Sequence, residues 1–534
     1  MKSNARIAEV IDQLASERLD LLKEVGIKIW KYAELSRQEY RSAKYLSDKL
    51  ESMDFQVKRG VGGYPTSFVA QWKNGVESGP VIGLLCEYDA LPSLSTEKKG
   101  DPGHGCGHNL FAAGAITTAG IIKAYLEETG INATIKVFGT PSEESYGSKP
   151  FMVKQGIFDG VDFFMGFHPL EFNGVLYATH NAIIGKKYRF FGKTSHAGAE
   201  PELGISALDA VEIMNVAANY LREHITQDAR IHYIITHGGE AANIVPDFAE
   251  SHYIARAQDL NNLKQISNKI DNAAKGAALA TGCTYEIEYI ESFANTVLNR
   301  PYAEIAQSYI QHFGPPNYSQ EDQDSVSEFG KREGILMNIE ELPDKQGFYG
   351  ASTDEGDVSW VAPWIRICMA IYADGTPGHS VEVTRQSNMP TAHKGMLHNI
   401  KVCSSVIAHL LENQKDLEQV KEYHKNAMAK RTYDRTFNPY PKPSFFPNAP
   451  GFAVDDSGNL TLKPEIHPFL EGLESFSIFL YREDKLIGQG HKKDVTQSKL
   501  NFEIAEDLLP EEVLTIKYNL SDRDSQTLLG YFKI

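Results

Sequence analysis

Apolar positions recur at helical spacing from Ile7 to Leu35 and again from Ser36 to Phe55, so the N-terminal stretch predicts two helices, the second capped by Ser36. Beyond them, short apolar runs alternate with helical ones. "SFVAQWK", "PVIGLLCEYDAL" and "ATIKVFGTP" read as strands, and the run from Asn109 to Glu128, stopped by Gly130, reads as a helix. That alternation predicts an α/β sheet with helices on its faces. From Ala182 the rhythm changes to strand, helix, strand, strand, helix, strand, ending at "CTYEIEYIES". This β-α-β-β-α-β order is the ferredoxin-like pattern. The α/β rhythm then resumes with helical "RPYAEIAQSYIQHFG", strand-like "WIRICMAIYA" and a helix through "AHKGMLHNIKVCSSVIAHLLEN". Past the proline-aromatic stretch "NPYPKPSFFPNAPGF", five short strand candidates from "SFSIFLYRED" to "TLLGYFKI" predict a small all-β sandwich.

These changes divide the chain into residues 1–182 and 297–430, which together make one α/β body, an inserted α+β unit at 183–296, a linker at 431–450 and an all-β tail at 451–534. A formal net charge of -17 repels a phosphate backbone or an anionic membrane, which excludes nucleic acid and membrane surfaces as expected partners. The charged N-terminus lacks the apolar core of a secretory signal, and no run reaches the ~18 apolar residues of a spanning helix. The five cysteines, Cys86, Cys106, Cys283, Cys368 and Cys403, are odd in number and scattered, which fits reduced thiols and a cytoplasmic protein.

Four short stretches carry chemistry. In "GDPGHGCGHN", Cys106 and His108 stand at i and i+2, which in an extended segment share a face, and thiolate and imidazole are both good zinc ligands. Alone, the stretch fits either a metal site or a glycine-rich turn. In "GTPSEES", Glu143 and Glu144 follow a strand, so one carboxylate can bind a metal while its neighbour takes a proton from water, or both can be exposed loop residues. His168 in "GFHP" and His379 in "GTPGHS" each follow an apolar strand. All four stretches fall at strand ends, where open α/β sheets build their sites.

Together with "EYDALP", "TSHAG", "AANIVPDFAE", "ASTDEGDVSWVAP" and "AHKGML", these motifs resemble, in order and spacing, the M20 family of metallopeptidases and amidohydrolases. Within it they are most similar to the subgroup of the p-aminobenzoyl-glutamate hydrolase B subunit and its dipeptidase relatives. The resemblance runs to about residue 440 and does not cover the tail. It implies a mixed-sheet hydrolase domain with two divalent metal ions, zinc or manganese. Cys106 is then the bridging thiolate, and His108, Glu144, His168 and His379 are further ligands. Glu143 becomes the general base that deprotonates a metal-bridging water and returns the proton to the departing amine. Asp89 orients a ligand histidine, and His104 is a turn residue without a role.

The same resemblance makes the inserted unit a lid and dimerisation domain. His196 then reaches the partner subunit's site to stabilise an oxyanion, Asn243 supports substrate or oxyanion, and Arg256 binds a substrate carboxylate. In "STDEGDVSW", Ser352, Thr353 or Asp354 falls near the cleft, while Glu355 is expected in a solvated acidic loop. The implied activity is cleavage of the amide bond of a small N-acyl amino acid such as p-aminobenzoyl-glutamate, by a homodimer. A dipeptidase or aminoacylase is the alternative, and a non-catalytic binding protein on the same scaffold is the alternative from another class.

Overall fold

The computed structural model describes residues 2–76, 79–330, 334–431 and 433, and beyond them the backbone of seven strands. Three helices open the chain: α1 (Lys2–Ser16), α2 (Leu19–Tyr32) and α3 (Tyr40–Glu51). The long periodic run expected from Ile7 therefore breaks at Glu17 and Arg18. The third helix also starts later than a Ser36 cap allows, because the Ser36 hydroxyl is used elsewhere, donating to Asp89 Oδ2 at 2.9 Å.

There follow β1 (Gln56–Arg59), β2 (Phe68–Asn74), β3 (Val81–Cys86), α4 (His108–Thr129), β4 (Ala133–Gly139), α5 (Lys149–Lys154), β5 (Phe163–Gly166), β6 (Gly174–Val175) and β7 (Ala178–His180). A second group holds β8 (Ala182–Phe191), α6 (Ala207–Leu221), β9 (Arg230–His237), β10 (Phe248–Ala257), α7 (Leu260–Thr281) and β11 (Thr284–Phe293). The chain continues through α8 (Arg300–Phe313), α9 (Gln320–Val326), β12 (Gly347–Tyr349), α10 (Glu355–Ser359), β13 (Trp364–Cys368), α11 (Val381–Gln386), α12 (Pro390–Glu412) and α13 (Gln414–Met428).

The main sheet has seven strands in the order β1-β2-β4-β3-β5-β13-β6. Its four central strands, β4, β3, β5 and β13, run parallel, so their carboxyl ends open on one edge. The remaining pairs are antiparallel, which makes the sheet mixed. Strands β3 and β5 are apolar on nearly every residue because helices cover both faces. Helix α4 is long and apolar enough, by length and composition alone, to cross a membrane, although no unbroken run of ~18 apolar residues occurs in it. It is instead the core helix, packed on β3 and β4 and covered by α2 and α12, and burial all round explains its apolar character.

The second sheet, β11-β8-β10-β9, is antiparallel and carries α6 and α7 on one face. Its alternate residues Ile184, Tyr188, Phe190, Tyr253 and Ala255 form a hydrophobic core with those helices, separate from the core of the main sheet. Helix α7 starts where the Asp259 carboxylate accepts from the Asn261 and Asn262 amides, at 2.9 and 3.1 Å, satisfying two otherwise free donors.

In the tail, β14 (Phe452–Val454) pairs with β15 (Leu460–Leu462). A five-stranded antiparallel sheet, β18-β17-β16-β19-β20, is built from β16 (Phe476–Arg482), β17 (Lys485–Lys492), β18 (Phe502–Ile504), β19 (Val513–Leu520) and β20 (Thr527–Lys533). Each of these five strands falls on one of the five strand candidates. The expected linker lies, from residue 434 on, outside the described residues.

Candidate metal centre and its cavity

The four central strands deliver the polar residues. After β3 come Glu87 and Asp89, after β4 Glu143 and Glu144, after β5 His168, and after β13 the loop to His379, while Cys106 and His108 stand at the entrance of α4. Gly107 makes that entrance possible. Its φ is +80°, and a Cβ there would lie 2.1 Å from the Tyr372 hydroxyl and 2.6 Å from Pro169 Cγ.

Three sets of ligand atoms converge, each with all members within 4.8 Å of one another: Cys106, His108 and His168; Cys106, Glu144 and His379; and Glu87, His108 and Glu143. Cys106 and His108 each belong to two of the sets. Its Sγ lies 3.2 Å from His168 Nε2, and His379 Nε2 lies 3.5 Å from Glu144 Oε2. The ring nitrogens are already sorted. His108 Nδ1 donates to Asp89 Oδ1 at 2.9 Å, and His168 Nδ1 donates to the Pro169 carbonyl at 2.9 Å, which frees Nε2 of each ring for a cation. Buried His108 Nε2, which lies 3.3 Å from Glu87 Oε2, and buried Glu144 Oε1 have no hydrogen-bond partner among the described residues. Such orphaned donor atoms, in a set of thiol, imidazole and carboxylate, fit divalent cations.

The Pro-Ser-Glu-Glu turn is held open by two buried carboxylates. Ser142 has φ +66°, outside the usual range for a serine, and its amide donates to Glu39 Oε1 at 2.8 Å. The Glu144 amide donates to Asp89 Oδ2 at 2.9 Å. Burial pushes the Glu39 carboxyl up to about 8, with Asp89 adding to the effect. Burial likewise raises Glu143 and Glu144, with His108 opposing. For Asp89, burial is outweighed by the His108 hydrogen bond and charge, which hold the carboxyl below its ordinary value. Burial also pushes the Cys106 thiol up, so a cation is needed to hold it as thiolate.

Beneath the turn lies a buried ion network. Lys149 Nζ is 2.7 Å from Glu87 Oε1 and also pairs with Asp354, all three side chains being fully buried. Glu355 is fully buried too and pairs with Arg366 on β13. The expected solvated loop is thus corrected: Glu355 and Asp354 neutralise two buried cations.

A cavity of about 310 Å³ opens over the cluster and is lined by Cys106, Glu143, Glu144, His168 and His379, and by Arg256, Ser352 and Thr353 from the expected substrate side. Arg256 donates to Ser352 Oγ at 3.0 Å. A wider groove of about 560 Å³, lined by Trp30, Glu34, Arg41 and Asp101, carries none of these donors. His196 and Asn243 do not line the cavity of their own chain. Both are exposed and adjacent, the Ala197 amide donating to the Asn243 carbonyl at 3.0 Å. His104 sits in the expected turn but is buried, with Nε2 3.0 Å from the Ile29 carbonyl.

Sequence reasoning missed Glu87, although its place two residues before Asp89 puts the two on one side of an extended segment. It also missed Glu39 and Lys149, whose partners lie far along the chain, and Arg366, which pairs with Glu355 from within an apolar strand.

The profile of peptidase family M20/M25/M40 matches residues 83–359. The chain is 34% identical over 450 residues to the B subunit of p-aminobenzoyl-glutamate hydrolase of Escherichia coli (strain K12), covering 77% of this chain and 93% of that one. It is 31% identical over 433 residues to the Xaa-Arg dipeptidase of Mus musculus, covering 79% and 91%. The fold is shared with the aminobenzoyl-glutamate utilization protein of Klebsiella pneumoniae, with a TM-score of 0.52 at 17% identity over 72% of this chain and 98% of that chain. The relatives are enzymes by name, and the non-catalytic alternative is set aside with them. With the family profile spanning the cluster-bearing strands and the identity extending over most of the chain, this protein is a hydrolase of peptidase family M20/M25/M40.

Proposed function

We propose that the protein is a cytoplasmic, two-metal amidohydrolase that cleaves the amide bond of a small N-acyl amino acid or dipeptide. The observation that carries this reading is the convergence of Cys106, His108, Glu144, His168 and His379 beside Glu143, on one edge of the sheet and under one cavity. Two divalent ions, zinc or manganese, would be held by those five ligands, with Cys106 shared between them. When bound, they supply Lewis acidity for the scissile carbonyl and lower the pKa of a water. Glu143 takes the proton from the attacking water and delivers it to the leaving amine, a role supported by its place in the cavity wall 3.9 Å from His108 Nε2. Asp89 keeps His108 in the tautomer that presents Nε2.

Arg256 receives the substrate carboxylate through a charge-assisted fork. The inserted unit acts as lid and dimer interface, with exposed His196 and Asn243 completing the site of a partner copy and stabilising the oxyanion. The cytoplasmic placement is supported by five free thiols. The names of the two relatives supply the first substrates to test, p-aminobenzoyl-glutamate and dipeptides ending in arginine. The test is amine release from a panel of acyl-glutamates, acyl-arginines and dipeptides, with zinc- or manganese-loaded protein and a Glu143→Gln control. The reading predicts turnover of at least one of them and loss of turnover in the control. Equal activity of the control contradicts the assigned base.

A further inference from the structure

The roof of the cavity is the open face of the second sheet, and its register determines what a substrate meets there. Across β8, Arg256 of β10 stands opposite Ile183, and Ile183 stands opposite Phe293 of β11. Two residues along, Ile254, Gly185 and Glu291 form the next row on the same face. Arg256, Ile183, Phe293 and Glu291 all line the cavity.

Glu291 owes its place to an irregularity. Up to Tyr289 the strand alternates so that Glu286 and Glu288 share a face with Arg189 and Lys187 of β8. A register shift between Tyr289 and Glu291 then reverses the alternation, so Glu291 rather than Ile290 takes the cavity face. Gly185 leaves room for it, since a Cβ there would lie 2.9 Å from Glu291 Cγ. Both features bring the Glu291 side chain into the cavity wall, and its carboxylate has no hydrogen bond or ion pair among the described residues. Burial raises its pKa and Arg256 opposes the rise, so a cation placed beside it favours the ionised form.

The charges around it are unbalanced. Glu171 also lines the cavity without an ion pair among the described residues, while the second arginine in the wall, Arg366, is taken up by Glu355. One guanidinium, Arg256, therefore remains for a single substrate carboxylate, and the nearby carboxylate of Glu291 is left for a positive group. A second substrate carboxylate, as in an acyl-glutamate, would face like charge there.

We propose that Glu291 is a specificity-determining residue that selects a cationic side chain on the amino-acid half of the substrate, with the adjacent carboxylate on Arg256. The inference rests on the amide-cleaving reading of this cavity and narrows its substrate class to acyl derivatives of basic amino acids. It is tested by calorimetric binding of three free amino acids to the full-length, metal-loaded protein: L-arginine, its neutral isostere L-citrulline, and L-glutamate. Arginine is expected to bind about tenfold more tightly than citrulline, as one added charge-assisted hydrogen bond would give, and glutamate most weakly because its second carboxylate is repelled.

In Glu291→Gln the arginine-to-citrulline ratio is expected to fall close to one. Gly185→Ala, which displaces the carboxylate without removing it, is expected to give an intermediate ratio and guards against a folding artefact in the first variant. Equal affinity for arginine and citrulline, tightest binding of glutamate, no binding of arginine, or an unchanged ratio in Glu291→Gln each overturns the proposal. Failure of the amidohydrolase reading is distinct: no amide in the panel releases amine, whichever amino acid binds.

Discussion

Replacement of Asp89 by asparagine is expected to weaken metal binding without unfolding the protein. Asp89 is buried and accepts three hydrogen bonds of 2.9 Å, from His108 Nδ1 on one oxygen and from the Ser36 hydroxyl and Glu144 amide on the other. A carboxamide has one accepting oxygen and cannot serve both sides. With its NH₂ toward His108, the imidazole must move its proton to Nε2 and loses that atom as a ligand. With its NH₂ toward Glu144, a buried amide is left unsatisfied at about 1–3 kcal/mol. Loss of such an orienting carboxylate typically weakens metal affinity by about 10–100-fold, equivalent to about 1.4–2.7 kcal/mol. Competition with a chromophoric chelator reads the affinity, and urea unfolding of the metal-free protein reads the stability separately. Wild-type affinity in Asp89→Asn, with the variant folded, would refute the claim that Asp89 fixes the His108 tautomer.

Other expectations follow from the same network. Lys149→Met leaves Glu87 and Asp354 buried without their shared cation and is expected to destabilise the fold by about 3–5 kcal/mol, measured by urea unfolding. Gly107→Ala combines a φ of +80° with a Cβ 2.1 Å from the Tyr372 hydroxyl, and should lower both the melting temperature and metal retention; an unchanged melting temperature would show that the turn relaxes freely. Glu143→Gln should lower kcat by about 10²–10⁴-fold while metal content, read by atomic absorption, stays at the wild-type level.

The pH dependence of stability should carry a mark of His393, whose pKa is pushed by burial, with Lys23 adding to the effect, down to about 4. A neutral imidazole in the fold and an ordinary one in the unfolded chain contribute stability above about pH 6.5 that is lost as pH falls toward 4, about 3 kcal/mol in all. His393→Gln should flatten that part of the profile, and an unchanged slope would place the dependence in other buried groups such as His104.

The site motifs were legible because their information is local: a Glu-Glu pair after an apolar run and single histidines after two others name their own positions, and so does the glycine-flanked Cys-x-His, although it stands at the entrance of α4 and not at the expected strand end. Apolar runs and turn residues likewise mark the central strands, the β-α-β-β-α-β order and the five tail strands. What escaped depends on packing that no local pattern marks. Glu355 looked like a loop carboxylate because Arg366, its partner, lies in an apolar strand where an arginine gives no sign of facing inward. Lys149 lies 62 positions after Glu87 and 205 before Asp354, and its sequence neighbours do not mark it as buried. The orientation of Glu291 follows from a shift in register, which period-2 reading misses because the shift reverses the alternation within the strand.

The central claim is that two divalent ions sit between these residues. The most direct measurement is anomalous diffraction from crystals of the zinc- or manganese-loaded protein. The account predicts two peaks roughly 3.5–4 Å apart, both adjoining Cys106, with His108, His168, Glu144 and His379 completing the shells and Glu143 ligating neither. A single peak away from Cys106, or no peak at full metal loading, would contradict it.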